Sequence, residues 1–326
     1  MNIGVISSDV IPTPPVEYGG IEREAFWLCE ALAELGHRVT LFGKDGSRCP
    51  PGGEVCTIEG SEPEFVPLFR DRMFSLDGVV DMSHNKCIPR EFPDFHPIIC
   101  TYQVMTVSYP RNAVCISQGQ RRHLRGALPA GEDTPVIYYG VDAGAYQLYE
   151  GPREDYLLYM GSVLAEKQVH VAIDVAESAG LPIKICGPAW QPEYYDNAIA
   201  PRLGEGVEYL GSVGGIEKLD LIQKARALLH PVGALGWVEA GAIIVLETLH
   251  CGTPVICSDN GCLPEYIVQG VNGYICHTVR EYVEAVRLCE DLDPQKCRRS
   301  VRHFRKERMA REYEQLLRDM LAGKRW

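Results

Sequence analysis

The chain has 326 residues, of which 46% are hydrophobic, and this is enough for two globular domains with ordinary apolar cores. Its formal net charge of −12 argues against a general nucleic-acid binder, because such proteins present a basic face to the phosphate backbone. The 13 cysteines form no C-x-x-C pair, so we interpret them as reduced, buried side chains, with zinc binding as the alternative. The first residues lack the basic and apolar segments of a signal peptide, and no apolar run reaches the roughly 18 residues that span a membrane. We therefore expect a cytoplasmic protein.

The first part of the chain predicts a parallel β-sheet. Ile3 to Ser7 is a short apolar strand, Ile21 to Leu35 has helical periodicity, and 38–42 is strand-like again. Strand, loop, helix and strand form a βαβ unit, which builds parallel sheets. Further strands are predicted at 79–81, 98–100, 113–116 and 135–142, and the last of these would close a first domain.

The second part of the chain repeats this alternation after a hinge near 143–153. Strands are predicted at 156–160, 183–186, 207–210, 227–229 and 255–257, and helices at 168–178, 218–224, 239–251 and 282–292. Two such halves predict two α/β domains, each with a parallel sheet, and ligands of such sheets bind at the carboxyl ends of the strands. No G-x-G-x-x-G motif is present, which weighs against a dinucleotide-dependent enzyme.

The end of the chain, from Lys296 to Arg325, is dense in lysine and arginine. The pattern favours a solvated amphipathic helix. The alternative is a patch that associates weakly with a membrane surface or with an acidic partner, which would place the protein at the inner face of a membrane.

The segment from His230 to Thr278 carries the strongest functional signal. Seven residues separate Glu239 from Glu247, and a turn of small residues at 240–242 leads into an apolar run. We interpret this as a loop that becomes a helix, whose free backbone amides can hold a phosphate. Gly19 and Gly20, at the start of the first helix, offer amides that can approach an anion closely, although a plain strand-to-helix turn is the alternative.

This segment resembles the nucleotide-sugar site of the retaining GT-B glycosyltransferases of glycosyltransferase family 4. The family pattern is E-x-F-G-x-x-x-x-E followed by A-x-G-x-P-V. Here Glu239 and Glu247 match the two glutamates, and Gly252-Thr-Pro254-Val255 matches the second part. Gly241 and Ala242 stand in place of the family's Phe-Gly pair.

A second motif of the same family, G-R-x-x-x-x-K, is matched at Gly161 and Lys167. Ser162 stands where the family has arginine, so one cation of the diphosphate site is absent from this position. Taken alone, Lys167 would be a solvated surface lysine.

The resemblance implies a GT-B fold, an α/β architecture of two facing Rossmann-like parallel-sheet domains with an interdomain cleft. We expect an acceptor-side domain at 1–148, a nucleotide-sugar-binding domain at 149–305, and a C-terminal helix at 306–326 that crosses back to the first domain.

The resemblance also implies a function, the transfer of a sugar from a nucleoside-diphosphate donor with retention at the anomeric carbon. A UDP-sugar is the first expectation for the donor and a GDP-sugar the second. The acceptor, which would be a saccharide, a lipid-linked glycan or a natural product, is unidentified. No metal is expected, because the one Asp-x-Asp sequence, Asp291-Leu-Asp293, reads as a helix cap or a surface turn.

The resemblance assigns roles to individual residues. Glu239 and His84 are the expected catalytic residues, at the anomeric carbon and the transferred sugar. Glu247 would hold the ribose, and Ser117 and Arg121 would shape the acceptor side. The donor diphosphate would be held by Gly19, Gly20, Lys167, Gly241, Ala242 and Ile243.

Two other functions stay open at this point. One is a nucleotide-sugar 2-epimerase of GT-B fold, which would need acid and base carboxylates in the first domain. The other is a non-catalytic protein that binds nucleotide sugars, and Ser162 and Ala242 favour it slightly, because both replace family residues.

Overall fold

The computed structural model describes residues 1–95, 97–105 and 112–326, which divide into two compact units. Unit 1 comprises Met1–Asp142 and Phe304–Trp326, and unit 2 comprises Ala143–His303. The sequence analysis set the domain boundaries at 148 and 305, so the structure places both boundaries a few residues earlier.

Unit 1 contains a six-stranded sheet with the strand order β3-β2-β1-β4-β5-β6, in which every neighbouring pair is parallel. Its strands are β1 (Asn2–Ile6), β2 (Arg38–Lys44), β3 (Glu54–Ile58), β4 (Gly78–Asp81), β5 (Ile98–Tyr102) and β6 (Ala113–Cys115). The α-helices within residues 1–142 are α1 (Gly20–Glu34), α2 (Glu62–Phe65), α3 (Arg70–Phe74), α4 (Cys87–Glu91) and α5 (Gln118–Leu124).

Unit 2 contains a second six-stranded parallel sheet, with the order β12-β11-β10-β7-β8-β9. Its strands are β7 (Leu157–Met160), β8 (Ile183–Cys186), β9 (Val207–Gly211), β10 (Ala227–His230), β11 (Val255–Ser258) and β12 (Gly273–Cys276). Its helices are α6 (Val169–Ala179), α7 (Pro192–Tyr194), α8 (Gly215–Lys224), α9 (Ile243–His250), α10 (Leu263–Tyr266), α11 (Val279–Leu288) and α12 (Pro294–Ser300). The α/β fold class with two parallel sheets is therefore confirmed.

Helices cover both faces of the unit 1 sheet, which explains why its strands are continuous apolar runs. Val79 and Val80 are neighbours in β4, yet they belong to different core clusters, because successive side chains of a strand point to opposite faces. One of these clusters includes side chains of α1 and of the last helix, α13 (Lys306–Leu321). Helix α13 belongs to unit 1, to which the chain returns after unit 2.

Helix α13 buries its apolar side in the core of unit 1. Met309, Tyr313 and Leu317 are at most 1% exposed, and the Tyr313 hydroxyl lies 2.9 Å from the Thr101 hydroxyl of β5. On its charged side, Arg318 pairs with Glu314 at 2.7 Å. These contacts agree with the amphipathic-helix interpretation, and association with a membrane surface stays a prediction. Among the described residues, no helix is both long enough and apolar enough to cross a membrane.

The cysteines within the described ranges are all free thiols, and all of them except Cys49 are buried. This is the arrangement expected from their places in apolar strands. Across the same ranges, no three His, Cys, Asp or Glu side chains converge as a metal site requires. Independence from metal stays a prediction, because a donor phosphate could itself supply ligands.

Candidate functional site

The carboxyl edges of both sheets carry the residues that the sequence analysis singled out. In unit 2 the strand order reverses between β7 and β10, and the loops that follow these two strands hold Lys167 and Glu239. In unit 1 it reverses between β1 and β4, whose following segments hold Gly19 and His84. Open α/β sheets bind ligands at such switch points, because the connections diverge there and leave a crevice.

Three side chains of unit 2 converge on one carboxylate oxygen of Glu239. The Lys167 ammonium contacts Glu239 Oε2 directly, and the Trp237 indole Nε1 donates to the same oxygen at 3.4 Å. His230 Nε2 lies 3.7 Å from it. The Lys167 ammonium also lies 5.0 Å from the centre of the Trp237 ring, within the range of a cation–π contact. The Glu239 side chain is 7% exposed and that of Lys167 is 12% exposed, so the cluster is nearly closed to solvent.

The charges of this cluster follow from its geometry. Burial works to raise the pKa of Glu239, but the Lys167 charge and the His230 ring outweigh burial and hold that pKa at about 2. Burial lowers the pKa of His230, and the neighbouring Glu239 opposes this only in part. At neutral pH the cluster therefore contains an ionised glutamate, an ammonium and a neutral histidine.

The loop after β11 fixes the backbone of Glu239. The Glu239 amide donates to Asn260 Oδ1 at 2.7 Å, and its carbonyl accepts from the Cys262 amide at 2.9 Å. Gly261 lies between these two contacts with a φ of +54°, and a Cβ atom there would stand 2.0 Å from the Glu239 carbonyl oxygen. Only glycine fits this close approach.

Helix α9 begins at Ile243, whereas the sequence analysis began it at Glu239. The prediction of the start was wrong, because the backbone groups of Glu239 are already bonded to the loop at 260–262. Gly241, Ala242 and Ile243 still stand at the amino end of the helix, where amides are free of helical partners. The Ala242 backbone contacts the buried Cys262 thiol, so Gly241 and Ile243 present the freer amides.

Gly19 precedes α1 with a φ of +148°, and its Cβ would lie 2.7 Å from side-chain atoms of Ile11 and Pro15. Both the conformation and the packing therefore require glycine. Glu22, in the first turn of the same helix, is buried and accepts a hydrogen bond from Ser8.

Glu247 lies inside α9 and is fully buried. Its Oε1 accepts from the Tyr146 hydroxyl at 2.6 Å, and its Oε2 pairs with the Lys218 ammonium at 2.6 Å. Binding of ribose by Glu247 stays a prediction, and it requires a ligand to reach a buried side chain.

The remaining predicted residues lie in unit 1. His84 is half-buried in the bend after β4. Ser117 caps α5, since its hydroxyl accepts from the Gln120 amide at 3.0 Å, and Arg121 donates to the Thr134 carbonyl at 3.1 Å. Both contacts are structural, and the acceptor-side role of Ser117 and Arg121 stays a prediction.

Several residues that contact Glu239 or Glu247 were not predicted from the sequence. His230 ends an apolar strand and reads as part of it, and Trp237 lies two residues before Glu239 in a loop without periodicity. Asn260 and Lys218 have no local signal. Their roles depend on contacts between segments that are distant in the chain, and only the proximity of Trp237 to Glu239 could have suggested one of them.

Comparison with known proteins places unit 2 in a family. Residues 147–307 match the family described as glycosyl transferases group 1. The chain is 29% identical over 199 residues to a glycogen synthase of Mycobacterium tuberculosis, a match that covers 57% of this chain and 46% of that protein. It is 32% identical over 157 residues to the D-rhamnosyltransferase WbpZ of Pseudomonas aeruginosa, with 44% and 40% of the two chains covered. The matched region thus spans less than half the length of these two relatives.

Two solved structures extend the likeness to the whole chain. AviGT4, a glycosyltransferase involved in avilamycin A biosynthesis, is 33% identical with a TM-score of 0.86, and 100% of this chain and 99% of that chain are covered. HepE of Anabaena, solved in complex with UDP-glucose, is 16% identical with a TM-score of 0.74, and 98% of this chain and 100% of that chain are covered. The second likeness is one of fold alone.

Proposed function

Since this chain belongs to the glycosyl transferases group 1, a family of GT-B glycosyltransferases, we propose that it transfers a sugar from a nucleoside-diphosphate donor, with retention at the anomeric carbon. The donor we propose is a UDP-sugar before a GDP-sugar, and no metal takes part. The acceptor is a hydroxyl of a saccharide, a lipid-linked glycan or a natural product.

The contact between Lys167 and Glu239 at the switch point of unit 2 carries this proposal. A cation for phosphate and a carboxylate for the sugar stand side by side in a nearly closed cluster. Glu239 is ionised, so it can accept a sugar hydroxyl or stabilise positive charge at the anomeric carbon. That the structure of a protein with the same fold was solved with UDP-glucose supports a nucleotide sugar as the ligand.

The reaction that we propose is the one that the resemblance to the family implies. The bond between the anomeric carbon and the β-phosphate oxygen breaks, and the electron pair stays on the phosphate. The acceptor oxygen then bonds to the same face of the anomeric carbon, and its proton passes to the leaving phosphate. Lys167 stabilises the diphosphate, and Glu239 stabilises the oxocarbenium-like centre.

The other predicted residues complete the proposed site. The amides of Gly241 and Ile243, with that of Ala242, would support the diphosphate, as would the Gly19 and Gly20 backbone. Glu247 would hold the ribose, and His84 would contact the transferred sugar.

Nucleotide binding is the first experiment. UDP, or otherwise GDP, should raise the melting temperature of the full chain, since a ligand present at a hundredfold excess over its Kd adds about 2.7 kcal/mol of stability. The shift should persist with a chelator. Loss of the shift with chelator and its return with magnesium would refute the metal-free site, and no shift with either nucleotide would refute the donor class.

One observation supports a second function, a protein that binds nucleotide sugars without transfer. Ser162, in place of the family arginine, is buried and brings no charge, while the charge of Lys167 is already paired with Glu239. Incubation with UDP-sugars decides between the two functions. Release of free UDP, with any acceptor or with water, would show catalysis, whereas binding without release would favour the non-catalytic protein.

A further inference from the structure

His230 is a buried histidine that the proposed reaction does not use. It ends β10, its ring is almost fully enclosed, and neither ring nitrogen has a hydrogen-bond partner among the described residues. A buried polar group without a partner costs free energy, so it calls for an explanation. Its nearest charged group is Glu239, 3.7 Å from Nε2.

Donor binding would disturb the charge balance beside this histidine. In the structure, the Lys167 cation neutralises Glu239, and both side chains are nearly enclosed. A donor diphosphate carries two negative charges, and it would draw the lysine toward itself. Glu239 would then be a buried carboxylate without its main counter-charge, which is an expensive state.

Within the described part of the chain, few titratable groups face this point. They are Glu239 and Lys167 from the loops, Cys257 opposite His230 on β11, and Cys262 beside Glu239. Burial raises the pKa of both thiols, so they stay neutral. A new proton would therefore go to the carboxylate or to the imidazole. The ordinary pKa values are about 4.3 for glutamate and about 6.5 for histidine, which favours the imidazole by about a hundredfold.

Building on the proposed function, we propose that His230 takes up a proton from solvent when the donor diphosphate draws Lys167 away from Glu239. An N–H bond forms on the imidazole, and the buffer supplies the proton. Glu239 stays ionised, with an imidazolium in place of the ammonium. His230 is thus a positioning residue, which keeps the catalytic carboxylate charged and held in the donor complex.

The effect of the Lys167 charge on the protonation of His230 can be tested without any ligand. The ring signals of His230, assigned by their loss in His230→Gln, are followed by NMR from about pH 5 to pH 9, a range that brackets the ordinary histidine titration. In the wild type, we expect the ring to titrate below the ordinary value. In Lys167→Met it should titrate at or above that value, and in Lys167→Met/Glu239→Gln it should fall again. An unchanged titration in a folded Lys167→Met variant would overturn the proposal.

The second experiment counts protons on donor binding. UDP-glucose is a diphosphate diester that holds no titrating proton near pH 7, so any proton taken up belongs to the protein. Calorimetric titration in two buffers of different ionisation enthalpy should show uptake by the wild type and by the control His277→Gln, whose histidine is exposed. His230→Gln should show none.

Uptake that persists in His230→Gln would place the proton on Glu239 and overturn the proposal, as would absence of uptake in the wild type. If neither UDP-glucose nor GDP-mannose binds, the proposed donor class fails. The NMR titration still decides whether His230 responds to the charge of Lys167, so the two failures are distinguishable.

Discussion

Glu239 keeps its charge although it is buried, because Lys167 and His230 outweigh the effect of burial on its pKa. In the reaction that we propose, this carboxylate would face a full positive charge only when the sugar–phosphate bond breaks. We expect Glu239→Gln to lower kcat by about a hundredfold or more, the usual effect of removing one electrostatic stabiliser. The Kd for UDP should stay equal or become lower, since a negative charge beside the phosphate is removed.

Glu208→Gln is the matched control, because Glu208 is an exposed residue of β9. It should leave both turnover and UDP affinity unchanged. A Glu239→Gln variant that turns over at the wild-type rate would refute the catalytic role.

In the proposed site Lys167 binds phosphate. Removing its charge should therefore weaken the binding of ligands that carry phosphate and leave the binding of other ligands unchanged. We expect Lys167→Met to weaken UDP binding by about 10- to 100-fold, which corresponds to one charged hydrogen bond, and to leave uridine binding unchanged. Calorimetry with the two ligands measures both. Lys184→Met, which removes a lysine stacked on Tyr156, is the control. Equal UDP affinity in Lys167→Met and in the wild type would place Lys167 outside the site.

For individual residues of the candidate site, the sequence predicts those that belong to spaced motifs and misses those that only the fold brings together. Glu239 and Lys167 were found because each lies in a motif. Their contact was not, since 72 positions separate them. His230 was missed because a histidine at the end of an apolar strand has the pattern of a core residue.

Among the connecting elements, the loop at 260–262 holds the backbone of Glu239 in place, and Gly261 makes its closest approach to that backbone. Gly261→Ala should lower both stability and turnover, because the added methyl group overlaps the Glu239 carbonyl oxygen. Gly270→Ala is the control for backbone strain. Gly270 also has a positive φ, of +70°, but a Cβ atom there would meet no described atom within 4 Å. It should cost only about 1–2 kcal/mol, the penalty for a left-handed residue.

Urea denaturation measures the stability of the two variants, and steady-state kinetics measures their kcat. If Gly261→Ala behaves like Gly270→Ala in both, the close approach does not control the position of Glu239.

Helices α8 and α9 are linked by the buried pair of Lys218 and Glu247. Lys218→Met should destabilise the protein by about 3–5 kcal/mol, because it leaves an uncompensated carboxylate in the interior. The double variant Lys218→Met/Glu247→Met should recover most of this loss, since no buried charge remains. Denaturant unfolding measures both, and a Lys218→Met variant of wild-type stability would show that the pair is not structurally important.

Sequence predicts elements well where hydrophobic periodicity is strong. The buried strands β1, β7 and β11 are continuous apolar runs, and all three were predicted. Strand β3, with the sequence Glu-Val-Cys-Thr-Ile at the edge of its sheet, was missed, because a half-exposed edge strand mixes polar and apolar residues. The start of α9 was misplaced because Glu239 is hydrogen-bonded to Asn260, in a loop 21 residues further along the chain.

On the scale of the whole molecule, unit 1 is completed by the last part of the chain. Leu317 packs against Gly78, and the Trp326 indole donates to the Ala113 carbonyl at 2.7 Å. Removal of residues 304–326 should therefore destabilise unit 1 and leave unit 2 intact. We expect calorimetry of the truncated chain to show a lowered or absent unit 1 transition and an unchanged unit 2 transition, and equal loss in both would refute this independence.

The alternation of strands and helices predicted both parallel sheets, because each βαβ unit leaves the same pattern of apolar runs and turns. The order of the strands and the return of the chain to unit 1 follow from long-range packing, which the pattern does not contain. For the return of the last helix, the expectation rested on family resemblance alone.

The chain re-enters unit 1 beside the point where it left. The Val141 amide donates to the Phe304 carbonyl, and the Lys306 amide donates to the Val141 carbonyl, both at 3.1 Å. Unit 2 is thus an uninterrupted stretch of chain, and it can close its sheet on the ribosome as soon as its own residues have emerged. Unit 1 is begun first but must wait for α13, which reverses the usual order of completion from the amino terminus. During that interval the sheet face that Tyr313 and Leu317 later cover stays bare, and the nascent protein is most exposed to chaperones and to misassembly.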